Sequence, residues 1–313
     1  MRLGFAAFQF IAQATKKRFY PSGRPIRDTL GRPIQFFTHR PQPTDFDADD
    51  PLGWLIPRCR DMGFDAIEAS LERYLAPASL DRIGDLLAKH CLVLATDYGD
   101  DFSAPKKPPE AFRTYARAAR RLGVTVIGTG AMPFPIIRFV DDPPFERQME
   151  LVRAALRPLV AIAEEEGVTL AIENHADYKV VELIEHVVEP IGSPALGIKL
   201  DTGNCPLVID DPVEAARLAA PLCRATHFKD MHVTPVSPDG GRIVGAPVGR
   251  GSCQLEQVAR ILAEGAPDPA NLVLSIEIGW MPQNEDYFQW LDESARWCRA
   301  ALARHLAPLG QRT

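Results

Sequence analysis

The sequence predicts an α/β fold, a closed (β/α)8 barrel. Three observations carry that prediction. Eight short apolar runs alternate with longer amphipathic segments, the pattern of a parallel sheet flanked by helices. No G-x-G-x-x-G follows the first run, so an open dinucleotide-binding sheet has no support. Polar residues that end successive runs recur at about one βα unit: Glu173 to Asp201 is 28 residues and Asp201 to His227 is 26. His227 to Glu277 is 50, one unit plus the loop VTPVSPDGGRIVGAPVGRGS. In such a barrel every strand C-terminus faces one mouth, where active sites are built.

The strands are expected at 3–8, 64–68, 91–96, 124–128, 168–173, 196–201, 224–229 and 272–277. Helical spacing marks 79–90, with Ser79 as N-cap, and 109–123, which runs from Pro109 to Gly123. Residues 145–167 stop on Gly167, and Pro158 should kink that helix. Residues 211–222 and 254–265 complete the set; these starts and stops are ordinary cap chemistry. Residues 11–51, rich in Pro, Arg and aromatics, form a long insertion after the first strand, with a hairpin around Leu30-Gly31. The insertion reads as a lid, a subunit contact or a surface excursion without function. Residues 128–144 form a second long loop, on the face where loops shape a pocket. The whole chain, 1–313, reads as one barrel domain.

The chain is 46% hydrophobic and 24% charged, enough for a large soluble core. A net charge of −6 argues against nucleic acid, which demands a basic footprint, and fits a small neutral or metal-bridged substrate. Cys59, Cys91, Cys205, Cys223, Cys253 and Cys298 form no C-x-x-C and read as free thiols of a reducing compartment. No apolar run approaches a membrane span. LGFAAFQFIAQA imitates a short signal peptide, but Gln9 interrupts it, so the segment reads as a barrel strand and the expected location is the cytoplasm.

Glu173, Asp201, His227 and Glu277 each close an apolar run. A buried charge at a strand end is costly unless it is paired or bound to metal. Singly, each reads best as a cap or a salt bridge. Jointly, three carboxylates and an imidazole at matched strand ends point to one divalent cation, Mn2+ first, with Mg2+, Co2+ or Zn2+ as alternatives. Strand alternation adds His175, Lys199 and Lys229 on the same inward faces. His175 is a rival proton-abstracting base or a hydrogen-bond partner of the site. Lys229 is a donor to a substrate oxygen, or an ion-pair partner of Asp230 or of a site carboxylate. Asn204, Glu68, Lys199 and Trp280 are candidate substrate contacts. The plainer reading is a salt bridge for Glu68, charge neutralisation for Lys199 and packing under the last helix for Trp280.

IENH, LDTGN, HFKD and VGRGSCQLEQVARIL with the later LSIE resemble the xylose-isomerase-like TIM-barrel superfamily, over about residues 60–280 and most closely from 168 onward. That superfamily includes sugar isomerases and 3-epimerases, inosose dehydratases and endonuclease IV. The resemblance implies that Glu173, Asp201, His227 and Glu277 are metal ligands and that Glu173 and Glu277 shuttle the proton. Asn204 stands where several members carry a histidine, and the other histidines of a trinuclear zinc site are absent. The implied activity is a divalent-metal sugar or polyol isomerase or epimerase working through a metal-stabilised enediolate. The alternative is a lyase of the same fold: a keto-polyol dehydratase, or a β-eliminase cleaving a 3-keto glycoside. The expected partner is a small sugar or polyol, with no nucleic acid and no membrane. A homo-oligomer is expected, with a small accessory subunit as a further possibility.

Overall fold

The computed structural model describes residues 1–14, 43–100, 102, 105–130, 143–236, 240–282 and 285–306. Ten strands are described: β1 (Arg2–Ala6), β2 (Ala66–Glu68), β3 (Val93–Asp97), β4 (Val126–Thr129), β5 (Thr169–Glu173), β6 (Leu196–Asp201), β7 (Cys223–Phe228), β8 (Asp230–Val236), β9 (Gly240–Ala246) and β10 (Val273–Ile276). Eight of them close into a parallel barrel in the order β1-β10-β7-β6-β5-β4-β3-β2, as expected, and β8 and β9 pair apart from it. Most barrel strands, β5 and β6 above all, are buried on both faces, which is why they read as continuous apolar runs rather than alternating ones.

The helices are α1 (Phe8–Ala14), α2 (Pro51–Asp61), α3 (Pro77–Lys89), α4 (Pro109–Arg121), α5 (Phe145–Glu166), α6 (Val180–Leu183), α7 (Glu189–Ile191), α8 (Pro212–Ala219), α9 (Leu255–Gly265) and α10 (Tyr287–Leu306). Several details differ from the sequence expectation. β1 stops at Ala6, so Phe8 opens a helix instead of ending a strand, and Gln9 follows it in that helix. α3 begins at Pro77 behind Ala76, which places Ser79 inside the first turn rather than at the cap. α5 continues through Pro158 to a left-handed Gly167. The stretch after β7 is a hairpin, not a loop. Its base is clamped by Asp230, whose carboxylate accepts from the amides of Met231, Gly249, Gly251 and Cys253 at 2.8–3.2 Å. The proposed hairpin at Leu30-Gly31 and most of the 128–144 loop lie outside the described residues. All six cysteines are free thiols. No described helix is long and apolar enough to cross a membrane.

Register sets the site. Parallel pairing places Lys199 level with Glu173, and Asp201 level with His227. It also places His227 level with Ser275, two residues short of Glu277.

Candidate active site

The C-terminal ends of β5, β6, β7 and β10 bring Glu173, Asp201, His227 and Glu277 together, each at most 6% exposed. They converge on one ring nitrogen. His227 Nδ1 lies 3.0 Å from Glu277 Oε2, 3.3 Å from Glu173 Oε2 and 3.8 Å from Asp201 Oδ2. Ligand atoms of Glu173, Asp201 and His227 all fall within 4.8 Å of one another. Yet among the described residues His227 Nδ1 and Glu277 Oε2 are buried atoms without a hydrogen bond of sound geometry, although the Lys229 ammonium lies 3.0 Å from Glu277 Oε2. Two buried polar atoms that face each other unsatisfied are what a missing electrophile would explain. A carboxylate and imidazole donor set of this kind suits a hard or borderline divalent ion, so the residues fit one.

The electrostatics agree. Burial pushes Glu173 up, but His227 and Lys199 outweigh it and hold the carboxyl well below the ordinary range. Burial is likewise outweighed at Glu277, by Lys229 and His227. Asp201 is pushed up by burial, against the pull of Lys229. Burial alone would lower His227, but Glu68, Glu173 and Glu277 raise it well above its ordinary value. Burial lowers His175, which leaves a neutral imidazole near pH 7.

Lys229 sits against this cage, not against Asp230. Its Nζ is 2.7 Å from Asp201 Oδ2 and 3.0 Å from Glu277 Oε2. The glycine of DTGN makes room for it, because a Cβ on Gly203 would come within 2.6 Å of the Lys229 side chain. Asn204 donates to Asp201 Oδ2 at 2.8 Å and to Glu173 Oε1 at 3.3 Å. Lys199 is 1% exposed, and its Nζ bonds Glu68 at 2.6 Å and both oxygens of Asp97 at 2.8 and 2.6 Å. Lys199 and Glu68 thus occupy a lower layer, and Glu68 reaches His227 Nε2 at 2.7 Å. Trp280 takes a left-handed backbone conformation (φ 54°), and its carbonyl accepts from Gly245 at 3.0 Å, which ties the end of β10 to the hairpin. Its ring packs on the core.

The sequence profile of the xylose isomerase-like TIM barrel family matches residues 56–304. The chain belongs to that family. Among solved structures, an L-ribulose 3-epimerase superposes with a TM-score of 0.66 at 19% identity, covering 99% of this chain and 98% of its own. A xylose isomerase-like TIM barrel protein from Mycobacterium smegmatis, in complex with magnesium, gives 0.64 at 17% identity, covering 92% of this chain and 99% of its own. These likenesses establish the shared fold. In sequence, a 3-oxo-isoapionate decarboxylase from Pectobacterium atrosepticum is 36% identical over 78 residues, 25% of this chain and 28% of that protein. The match therefore spans little more than a quarter of that relative's length.

Four residues at the site of this family member escaped the sequence reading. Gln9 donates to Glu277 Oε1 from the start of α1. Phe8 stacks near the His227 ring, with centroids 6.4 Å apart. Asp97 ends β3 as Glu68 ends β2, and that strand-end position was the available signal. Asn174, inside the IENH motif, both donates to the Asp201 carbonyl at 2.9 Å and accepts its amide at 2.7 Å, locking the two strand ends together.

Proposed function

We propose that this chain is a divalent-metal-dependent enzyme that moves a proton next to the carbonyl of a small sugar or polyol, as an isomerase or epimerase. The observation that carries the reading is the convergence of Glu173, Asp201 and Glu277 on His227 Nδ1 with two buried atoms left unsatisfied. Glu173, Asp201, His227 and Glu277 would hold the ion, with Mn2+ first and Mg2+, Co2+ or Zn2+ as alternatives. When bound, such an ion supplies Lewis acidity to a carbonyl oxygen and its neighbouring hydroxyl, which acidifies the intervening C–H.

The chain's own groups do the rest. Glu173 and Glu277 are both held ionised, so either can take a proton from carbon. The carboxyl that took the proton can return it at the neighbouring carbon, as an isomerase; delivery on the opposite face, as an epimerase, requires the other glutamate to enter the cycle protonated. His175, neutral by burial, is the rival base. Lys229 offers an ammonium to the enediolate oxygen as negative charge develops there, and Asn204 steadies the Asp201 and Glu173 carboxylates.

A second reading keeps the same anion but releases a leaving group, as a lyase. Lys229 favours it, because proton shuttling alone needs no lysine, and the decarboxylase relative points the same way. The test is product analysis with the metal-loaded protein on ketoses and on 3-oxo sugar acids in deuterated water. Isomerisation conserves mass apart from deuterium gained at carbon, whereas a lyase product lacks carbon dioxide, water or an aglycone. Glu173→Gln and Glu277→Gln should each lower turnover by roughly 10²–10⁴-fold in a folded barrel. Unchanged turnover in both variants overturns the proton assignment.

A further inference from the structure

We propose that Glu68 is a positioning residue: its carboxylate grips His227 at Nε2 so that Nδ1 is presented to the three carboxylates opposite. The inference rests on the metal reading above and goes beyond it, because Glu68 belongs to a different part of the barrel wall. β2 and β7 are not neighbours in the sheet. The Glu68–His227 contact of 2.7 Å therefore crosses the interior and does nothing for strand pairing. A neutral imidazole carries one proton and one lone pair. A carboxylate at Nε2 fixes the proton there and leaves the lone pair on Nδ1 for an ion.

A carboxylate 5% exposed needs its own compensation, and Lys199 provides it at 2.6 Å. Asp97 takes the other side of the same ammonium at 2.6 and 2.8 Å. The sequence makes space for this at Gly128, the register partner of Asp97, where a Cβ would lie 1.8 Å from Asp97 Oδ1 and 2.9 Å from the Lys199 stem. Glu68, Asp97 and His227 also bring ligand atoms within 4.8 Å of one another, the spacing of a second metal group. The Lys199 ammonium already fills that place, so the lower layer is a support with a built-in cation, not another ion site. A cavity of about 290 Å³, lined in part by Glu68, Asp97 and Lys199, continues below it between the early residues of several strands.

The test titrates the metal-stripped full-length protein with Mn2+ and follows free Mn2+ by electron paramagnetic resonance. The variants are Glu68→Gln, which keeps an acceptor, and the paired Glu68→Leu with Lys199→Met, which strands no ammonium. We expect one Mn2+ per wild-type chain, weakening of roughly 10–100-fold in the double variant and a smaller loss in Glu68→Gln. The ¹⁵N spectrum of the zinc-loaded protein reads the tautomer directly: His227 should bind through Nδ1 alone in the wild type and in Glu68→Gln, whose amide oxygen still accepts, and binding through Nε2 in the wild type overturns the inference. Equal Mn2+ affinity in wild type and Glu68→Gln, with the double variant equal or unfolded, overturns the inference alone. Two ions per wild-type chain overturn the role given to Lys199. A wild type that takes up no divalent ion overturns the metal reading and this inference together.

Discussion

Replacing Asp177 by asparagine should stabilise the protein by an amount that grows with pH. Asp177 is 2% exposed, and neither carboxylate oxygen has a hydrogen-bond partner among the described residues. The amides of Asp177 and Tyr178 donate to the His175 carbonyl. Burial, reinforced by the Glu173 charge, pushes its carboxyl well above the ordinary range. The folded chain therefore keeps a proton that the unfolded chain has already lost. With the folded value raised, stability from this group is full below the unfolded value of about 3.9 and is lost as pH rises toward the folded value. The slope across that window is about 1.4 kcal/mol per pH unit. At about 2.1 cal/mol/K of unfolding entropy per residue over 313 residues, this is a melting shift of about 2 °C per pH unit. Asparagine has the same shape and no proton to bind, so the variant lacks this dependence. The assay is thermal or urea unfolding of both proteins from pH 4.5 to 8, reading the difference so that other titrating groups cancel. A difference that is flat with pH, or a variant less stable than wild type at pH 8, would refute the reasoning.

Two further substitutions test contacts that the sequence did not announce. Gln9→Leu removes the donor to Glu277 Oε1 while keeping the helix, and kcat/KM should fall roughly 10–100-fold with the melting temperature little changed, as measured by steady-state kinetics beside calorimetry. Asp230→Asn removes the charge that holds four amides at the base of the hairpin. It should cost about 1.5–3 kcal/mol in urea unfolding and open residues 231–246 to limited proteolysis; cleavage at the wild-type rate would contradict the clamp.

How much was legible follows from how a barrel stores information. Most of its strands are buried on both faces, so a polar residue at the end of an apolar run is conspicuous, and Glu173, Asp201, His227 and Glu277 could be picked out one strand at a time. What links strands across the lumen could not. Glu68 meets His227 from 159 residues away, Lys199 meets Glu68 from 131 and Gln9 meets Glu277 from 268. Nothing local marks such a pairing before the barrel closes. The β8–β9 hairpin was hidden for the opposite reason: its Gly and Pro content reads as loop, and the carboxylate that clamps its base, Asp230, does so through amides up to 23 residues away.

One clue was available and points back to the metal. β6 is buried at all six positions, yet it contains Lys199. A lysine in such a strand requires acids opposite it, and the ends of β2 and β3 hold the first two, Glu68 and Asp97. Adding Glu173, Asp201 and Glu277 makes five carboxylates at the mouth and in the layer beneath it. Against them stand Lys199 and Lys229, two positive charges, so with His227 neutral, as ligation through Nδ1 requires, three negative charges are left over. The surplus surfaces in Asp97, which burial and the Glu68 charge push up to about 7 against the pull of Lys199. One divalent cation offsets two of those charges where Glu173, Asp201 and Glu277 converge on His227 Nδ1, and the raised Asp97 takes up the rest of the imbalance.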